Sequence, residues 1–312
     1  MRVLVTGGAG FIGSTLVDRL RDRGDTVAVV DDLSSGRRSL VPPGVPLYVV
    51  DVTGAWLARV VARERPDAIV HLAAQIEVRA SVTDPHHDAT VNVLGTVAVL
   101  TAAADAGVPR VVLASSGGTV YGEAALVPTP EDHPTRPASP YGAAKLAIEG
   151  YGHAFSQHFG VATISLRLAN VYGPRQSPHG EAGVVAIFAE RLLRDQPCTV
   201  NGDGLQTRDY VFVDDVVAAG LAALELPAGV YNVGTGIQTT VVAIHDQLAR
   251  LCGRGASPRH GPARPGDLRR SALDSDRIAH ACGWRPQVTL AEGLERTLAA
   301  IGEEVRSAAP GA

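Results

Sequence analysis

Three glycines spaced three residues apart, Gly7, Gly10 and Gly13, separate the strand-like run RVLVT from the amphipathic segment STLVDRLRDRG. This order predicts a β-strand that leads into an α-helix, with the glycines in the turn between them. Glycines at these positions let the backbone turn tightly, approach a phosphate closely and pack the helix on the strand. The N-terminus of such a helix also attracts anions. The stretch therefore predicts a pyrophosphate-binding turn in a fold that contains β-α units.

Short β-branched runs alternate with longer segments rich in alanine, leucine and arginine, as in TVAVVD, WLARVVARERP, AIVHLAA and RVVLASS. Near-continuous apolar strands joined by helices indicate a parallel sheet covered on both faces. We therefore expect an α/β fold with a doubly wound, Rossmann-type sheet and a smaller C-terminal α/β lobe for the substrate, because loops rich in glycine and proline become frequent after Tyr172. The first domain is expected to span residues 1–170, with residues 210–235 returning to it, and the lobe residues 171–312.

The second strand-like run, TVAVVD, ends in Asp31, 18 residues after Gly13. A carboxylate at this place accepts hydrogen bonds from the hydroxyls of an adenosine ribose and repels a 2′-phosphate. The glycine turn and Asp31 together predict NAD, rather than NADP, as the cofactor.

The composition argues against several classes of partner. The formal net charge is −4, with no run of lysine or arginine and no uninterrupted apolar stretch of the length that spans a membrane. We therefore expect a small-molecule ligand, no nucleic acid and no membrane. Cys198, Cys252 and Cys282 fit neither a disulfide framework nor paired metal ligands, and the histidines lack metal-ligand spacing. The protein is expected to be cytoplasmic and to bind no metal.

Tyr141 and Lys145 stand four residues apart in SPYGAAK, on a segment that the pattern predicts to be a helix, so both side chains share one face. A free tyrosine has a pKa of about 10 and is a poor base at neutral pH. A nearby ammonium and a positively charged nicotinamide ring favour the phenolate and lower that pKa. Tyr141 is therefore the predicted general acid and base, with Lys145 as its partner.

These motifs resemble those of the extended short-chain dehydrogenase/reductase superfamily. Together, TGGAGFIG, HLAA, ASSGGTVYGE, SPYGAAK, RLANVYGPRQ, GDGLQTRDYVFVDDV and RPGD are similar to its UDP-sugar 4-epimerases, over most of the chain. The resemblance implies NAD and adds residues to the set expected to bind it, including a pair at the adenine after the third strand. The full set is Gly7, Gly10, Phe11, Ile12, Gly13, Asp31, Asp51, Val52, Ala73, Tyr141 and Lys145.

The resemblance also implies a UDP-sugar substrate. Arginines suit a diphosphate because each guanidinium donates two hydrogen bonds, and a carboxylate suits a ribose diol. In the family, an arginine after the glycine-proline of RLANVYGPRQ faces the carboxylate of UDP-glucuronate in some members. A small residue four positions after the aspartate of RPGD leaves room for a larger sugar. The residues expected to bind the substrate are Thr119, Asn170, Arg175, Arg208, Arg264, Asp267 and Ser271.

The stretch ASSGGTVYGE separates the related subfamilies. Members that dehydrate or decarboxylate nucleotide sugars carry acids before VYG, whereas this chain has two glycines and a threonine, which favours reversible oxidation of the sugar 4-hydroxyl. Epimerases usually have serine or threonine at the place of Gly117. The assisting hydroxyl must therefore come from Ser115, Ser116 or Thr119, and Ser116 is the expected third catalytic residue.

We therefore expect an NAD-dependent 4-epimerase of a UDP-hexose, of the UDP-glucose/UDP-galactose type, that acts through a transient 4-keto sugar and regenerates its NAD in each turnover. UDP-glucuronate and UDP-N-acetylhexosamine are the alternative substrates. A 4-keto-sugar reductase, which would release its nicotinamide, and a non-catalytic NAD-binding regulator are alternatives of other classes. By resemblance, a homodimer is expected to form through the helices in residues 91–107 and 141–152.

Overall fold

The computed structural model describes residues 1–178, 183–255, 257–263 and 266–307. Its strands are β1 (Arg2–Thr6), β2 (Thr26–Asp31), β3 (Leu47–Val49), β4 (Ala68–His71), β5 (Arg110–Ser116), β6 (Ala162–Leu168), β7 (Asn170–Tyr172), β8 (Thr199–Asn201), β9 (Thr207–Arg208), β10 (Tyr210–Phe212), β11 (Gly229–Val233), β12 (Thr239–Thr240) and β13 (Arg259–Gly261). Seven of them form one sheet in the order β11-β6-β5-β4-β1-β2-β3, and every neighbouring pair in it is parallel.

Helices cover both faces of this sheet. They are α1 (Phe11–Asp22), α2 (Trp56–Glu64), α3 (Val78–Thr83), α4 (Pro85–Ala89), α5 (Gly95–Asp105), α6 (Gly117–Val120), α7 (Pro140–His158), α8 (Val184–Leu193), α9 (Val213–Ala223), α10 (Val241–Leu251), α11 (Asp276–Cys282) and α12 (Leu290–Ser307), with a 3₁₀ turn at Arg38–Leu40 and a π-helix at Thr90–Leu94.

Alternate side chains of β1 enter two separate apolar clusters. Val3 and Val5 pack in a cluster with residues of α1 and α9, whereas Leu4 packs in a cluster with residues of α2 and α5. Burial on both faces explains why the strand runs are apolar at successive positions instead of alternating with polar residues. The predicted doubly wound α/β fold is confirmed.

The strand order reverses between β1 and β4, which lie side by side although β2 and β3 continue on the other side of β1. The turns that follow β1 and β4 therefore open a crevice at the carboxyl edge of the sheet, where ligands bind in doubly wound folds. This edge carries the glycine turn after β1, the HLAA segment after β4 and the serines that end β5.

The C-terminal part of the chain is divided between the main sheet and short sheets of its own. β11 pairs with β6 at the end of the main sheet, whereas β7 pairs with β10, β9 with β12 and β8 with β13. One apolar cluster contains residues from both parts of the chain, from Val3 to Ile301. Residues 229–233 thus join the main sheet, and the domain boundary near residue 170 stays a prediction.

Arg167 on β6 and Glu149 on α7 form a buried ion pair. The guanidinium donates from Nε to Oε1 at 2.9 Å and from Nη2 to Oε2 at 2.7 Å. Its Nη1 donates to the Tyr121 hydroxyl at 2.7 Å, and this hydroxyl donates to Oδ1 of Asn232 at 2.8 Å. The Ser115 hydroxyl donates to Glu149 at 2.5 Å. The network therefore joins β5, β6, β11 and α7 behind the carboxyl edge of the sheet.

Replacing Arg167 with methionine should destabilise the protein by about 3–5 kcal/mol, because the Glu149 carboxylate stays buried without its partner. Urea unfolding followed by circular dichroism measures this loss. Arg194→Met is the control, since Arg194 pairs with Glu190 at 3.1 Å within one helix and is largely exposed. Such pairs contribute less than about 1 kcal/mol. Equal losses in the two variants would contradict a structural requirement for the buried pair.

Candidate active site

The predicted glycine turn lies between β1 and α1, and its contacts require glycine. Gly7 has φ of +70°, which favours glycine, and an added Cβ there would lie 2.6 Å from the backbone nitrogen of Ala73. A Cβ on Gly13 would lie 2.1 Å from the Gly7 carbonyl oxygen. The structure thus brings the turn, α1 and the HLAA segment into direct backbone contact, and the contact of Ala73 with the cofactor stays a prediction.

The first turn of α1 begins with Phe11 and Ile12, both partly buried against the apolar core. Gly10 is the residue before the helix and offers no side-chain cap. The first amides of a helix have no partner within the helix, so an uncapped first turn is suited to hold an anion. This arrangement fits the pyrophosphate of a dinucleotide.

Asp31 ends β2 beside this turn and is buried. Its carboxylate accepts hydrogen bonds from the backbone amides of Ala9 and Leu33, both at 2.9 Å. These bonds fix the carboxylate next to the glycine turn, and each oxygen keeps a free lone pair for a ribose hydroxyl. The residues at this edge therefore fit NAD.

Asp51 and Val52 were predicted to contact the adenine. The Asp51 carboxylate accepts from both the amide and the hydroxyl of Thr53 at 2.8 Å, in a local turn. Val52 is buried and packs against Gly95 of α5. The structure gives both residues a role within the chain, and their contact with the cofactor stays a prediction.

Tyr141 and Lys145 lie one turn apart near the start of α7, which begins at Pro140. Ser139 caps this helix by accepting from the Gly142 amide at 3.1 Å. The Lys145 ammonium lies 5.7 Å from the centre of the Tyr141 ring and donates to the Ala114 carbonyl of β5 at 2.9 Å. The predicted pair is therefore held at the end of β5, in the crevice.

Burial dominates the electrostatics of this pair. Burial raises the pKa of Tyr141 to about 12, although a hydrogen bond with the Ser116 side chain favours the phenolate. Burial likewise lowers the pKa of Lys145 to about 8. The pKa of Tyr141 is raised in the protein alone because desolvation of the phenolate outweighs the groups that stabilise it. The predicted lowering includes the charge of a bound nicotinamide ring and stays a prediction.

The structure separates the three candidate hydroxyls. Ser115 is buried and donates to Glu149, and Thr119 donates to the Ser116 carbonyl at 3.4 Å. The Ser116 side chain lies close enough to Tyr141 to favour its phenolate form. Of the three, Ser116 is the hydroxyl that the fold brings to the predicted base, and its catalytic role stays a prediction.

Gly117 stands where the resembled epimerases carry serine or threonine, and Leu273 explains the glycine. A Cβ on Gly117 would lie 2.5 Å from Cδ1 of Leu273, so this leucine occupies the space of a side chain. Leu273 is held in place by its amide, which donates to the buried Asp209 carboxylate at 3.1 Å. The sequence alone offered no signal for this contact, because the two residues lie far apart in the chain.

Four of the residues expected to bind the substrate lie in two places, with Arg208, Asp267 and Ser271 in one and Asn170 in the other. Arg208 forms an ion pair with Asp267 and donates to the Leu268 carbonyl at 2.8 Å, while the Ser271 amide donates to the Thr207 carbonyl at 3.2 Å. The second group is Asn170, an exposed residue whose carboxamide oxygen lies 3.7 Å from the Cβ position of Gly118. Arg264 lies outside the described residues.

Arg175 pairs with an acidic residue of the protein itself, and its contact with the substrate stays a prediction. Its guanidinium pairs with the Asp18 carboxylate at 2.6 Å and donates to the Ser14 hydroxyl at 3.3 Å, both on α1. The side chain is thus bound to the cofactor-side helix. A sugar carboxylate would have to compete with Asp18 for it.

A profile of the NAD dependent epimerase/dehydratase family matches residues 3–234 of the chain. The chain belongs to this family. The family resemblance read from the motifs is confirmed, and so is NAD as the cofactor.

Characterised relatives and solved structures agree with this family assignment. The chain is 50% identical to a UDP-glucose 4-epimerase of Mycolicibacterium smegmatis over 96% of this chain and 97% of that protein. It superposes with a TM-score of 0.96 on a Thermotoga maritima UDP-glucose 4-epimerase solved with UDP-glucose, at 43% identity over 98% of this chain and 100% of the other. A Thermus thermophilus UDP-glucose 4-epimerase in complex with NAD gives a TM-score of 0.92 at 46% identity, over 99% and 100% of the two chains.

Among the described residues, no three His, Cys, Asp or Glu side chains come together as a metal site. Over the same part of the chain, no helix is both long and apolar enough to cross a membrane. His71 is buried between the hydroxyls of Thr6 and Thr96, at 2.7 and 3.0 Å, and burial lowers its pKa to about 3.

The site of this epimerase-family chain also contains residues that the sequence analysis missed. Glu149 and Arg167 stabilise the end of β5 and the start of α7, and a signal existed for both. An arginine inside the apolar run ISLRL needs a buried anion, and Glu149 follows Lys145 by one helical turn. Asp88 approaches the catalytic pair without any such signal.

Removing the hydroxyl of Ser116 should reduce turnover more than removing that of Thr119, because Ser116 is the candidate whose side chain acts on Tyr141. We expect Ser116→Ala to lower kcat by about 10- to 100-fold, less than the full contribution of a positioned acid or base, and Thr119→Ala to change it little. Steady-state kinetics of the two purified variants with one UDP-sugar measure both effects. A larger loss in Thr119→Ala would assign the assisting hydroxyl to Thr119.

Proposed function

We propose that the protein interconverts UDP-glucose and UDP-galactose by NAD-dependent epimerisation at carbon 4. The observation that carries this proposal is the Ser116–Tyr141–Lys145 arrangement at the end of β5, next to an uncapped dinucleotide turn. The relatives named above support the epimerase reaction, and the predicted isomerase class is confirmed by them.

In the proposed mechanism the protein supplies proton transfer and orientation. NAD, held by the glycine turn and Asp31, would supply reversible hydride transfer at carbon 4 of the sugar. Tyr141 removes the proton of the 4-hydroxyl, Ser116 hydrogen-bonds to the reacting oxygen, and Lys145 provides positive charge beside the phenolate. The 4-keto sugar turns about its diphosphate, and Tyr141 returns the proton.

The surroundings of Ser116 support an epimerase over a dehydratase. Eliminating water from the sugar needs a further proton donor or acceptor, and the residues after Ser116 are two glycines and a threonine. Leu273 packs against Gly117, so the fold replaces a polar group with a hydrocarbon wall at that place. Reversible oxidation of the 4-hydroxyl needs no such group.

The pairing of Arg175 with Asp18 supports UDP-glucose as the substrate rather than UDP-glucuronate. Recognising a uronate would require Arg175 to leave an ion pair at 2.6 Å. Ser271, a small residue, remains compatible with a larger substituent such as an N-acetyl group. UDP-glucuronate and UDP-N-acetylhexosamines therefore serve as comparison substrates.

We further propose a cytoplasmic homodimer that pairs through α5 and α7. Leu94 and Tyr151 are large apolar or aromatic side chains exposed beside or on these helices, and Phe159 is exposed where α7 ends. Among the described residues the cysteines are free thiols, which suits a reducing compartment.

Light scattering should give a mass of twice 32.4 kDa for the parent protein. Tyr151→Glu should halve that mass, because it places a charge in the proposed contact. Leu251→Glu is the matched control, since Leu251 is an exposed apolar residue on α10, which packs against α8 and α12 rather than α5 or α7. A parent protein with the mass of one chain, or a larger loss of mass in the control variant than in Tyr151→Glu, would refute this interface.

The purified protein, with no added NAD, should convert UDP-galactose to UDP-glucose and should release NAD, not NADP, on denaturation.

Tyr141→Phe should lower kcat by about 100- to 10,000-fold while binding of the UDP-sugar persists, since the phenol supplies the acid and base. Chromatography of the epimers measures turnover, with UDP-glucuronate and UDP-N-acetylglucosamine tested in parallel. Preferred turnover of the uronate, or near-parental rates in Tyr141→Phe, would contradict the proposal.

A further inference from the structure

Asp88 is a buried carboxylate on α4 that the mechanism above does not use. Its side chain is almost fully inaccessible. One oxygen, Oδ1, accepts from the amide groups of Gln75 at 2.8 Å and Asn92 at 3.0 Å. The other oxygen, Oδ2, is buried and has no hydrogen-bond partner in the protein. A buried carboxylate oxygen without a partner is costly, so its retention calls for a compensating charge.

The frame around Asp88 fixes its position. The backbone amide of Gln75 donates to Oδ1 of Asn92 at 2.9 Å, and Nδ2 of Asn92 donates to the backbone carbonyl of Gln75 at 3.0 Å. These bonds tie the loop after β4 to the π-helix, with Asp88 between them. Both α4 and the π-helix pack against α7, which carries the catalytic pair. The carboxylate is therefore held at a constant place relative to Tyr141 and Lys145.

The charge of Asp88 acts on both members of that pair. It favours the ammonium form of Lys145 and disfavours the phenolate form of Tyr141. Burial raises the pKa of Asp88 itself, and Lys145 opposes this rise by favouring the carboxylate. From its own helix, His87 also acts on Asp88. The π-helix carries no titratable residue, and α3 carries Arg79.

The groups around Lys145 leave Asp88 as its anionic neighbour. On the sheet side, Lys145 acts on His71, which burial keeps neutral. Glu149, one turn further along α7, is bound to Arg167. The ammonium itself donates to a neutral carbonyl, that of Ala114. A buried ammonium beside neutral groups tends to lose its proton unless a carboxylate compensates the lost hydration.

We propose that Asp88 is a positioning residue of the epimerase reaction, whose fixed carboxylate keeps Lys145 protonated in the buried site and so preserves the positive charge beside the Tyr141 phenolate. The expected effect on turnover rests on the proposed function. The expected effect on the protonation of Lys145 does not. Without Asp88, both Lys145 and Tyr141 have lower pKa values, because the same negative charge opposes proton loss from each. The pH range of activity would then move as a whole toward acid.

The experiment uses the fact that Lys145 is the single lysine of the chain. Protein labelled with ¹³C at lysine Cε and carrying no lysine-containing tag therefore gives one lysine signal by NMR. Its chemical shift against pH reports the protonation of Lys145 directly, in the enzyme as purified with its NAD. Asp88→Asn removes the charge with little change in shape, and Asp88→Glu keeps the charge. Asp84→Asn is the control, because it removes an exposed carboxylate that caps α4, and asparagine caps a helix equally well.

We expect the titration midpoint of Lys145 to fall by about one pH unit in Asp88→Asn and to stay near the parental value in Asp88→Glu and Asp84→Asn. The pH profile of kcat should move toward acid in Asp88→Asn alone. An unchanged midpoint in folded Asp88→Asn, or an equal fall in Asp88→Glu, would overturn the proposal. The NMR titration needs no turnover, whereas lack of turnover by the parent protein would refute the proposed function and leave this test valid.

Discussion

The buried ion pair between Arg167 and Glu149 holds the catalytic helix against the sheet. Each charge would be strongly destabilising if buried alone, and their two direct hydrogen bonds offset much of that desolvation. Because Glu149 also accepts from Ser115, the pair sets the end of β5, where Ser116 follows. The position of Tyr141 relative to Ser116 therefore depends on a contact that never touches the substrate.

The catalytic pair itself is placed where water is excluded, and this has opposite consequences for its two members. Burial raises the pKa of Tyr141 and lowers the pKa of Lys145, so it favours the neutral form of each side chain in the protein alone. Ser116 opposes this tendency at Tyr141 and Asp88 opposes it at Lys145, whereas the charge of Asp88 adds to it at Tyr141.

Leu273 links the C-terminal part of the chain to the catalytic strand. It packs on Gly117, and its amide bonds to Asp209, whose carboxylate also accepts from the amides of Thr235 and Gly236. The segment that carries Asp267 and Ser271 is thereby anchored close to the end of β5. The absence of a side chain at Gly117 is a condition for this contact, and it leaves Ser116, one residue earlier, as the proposed assisting hydroxyl.

The sequence by itself determined the parts of the protein that depend on local pattern: the doubly wound sheet, the glycine turn, Asp31 at the end of β2 and the Tyr141–Lys145 spacing on one helix. Each follows from neighbours within a few residues, because strand runs, tight turns and helical periodicity are local properties. Tertiary structure decided which hydroxyl meets Tyr141, that Arg175 pairs with Asp18, that Leu273 fills the space at Gly117 and that the pKa of Tyr141 rises. These outcomes depend on burial and on contacts between residues far apart in the chain, and desolvation energies exist only once the chain has packed around a group.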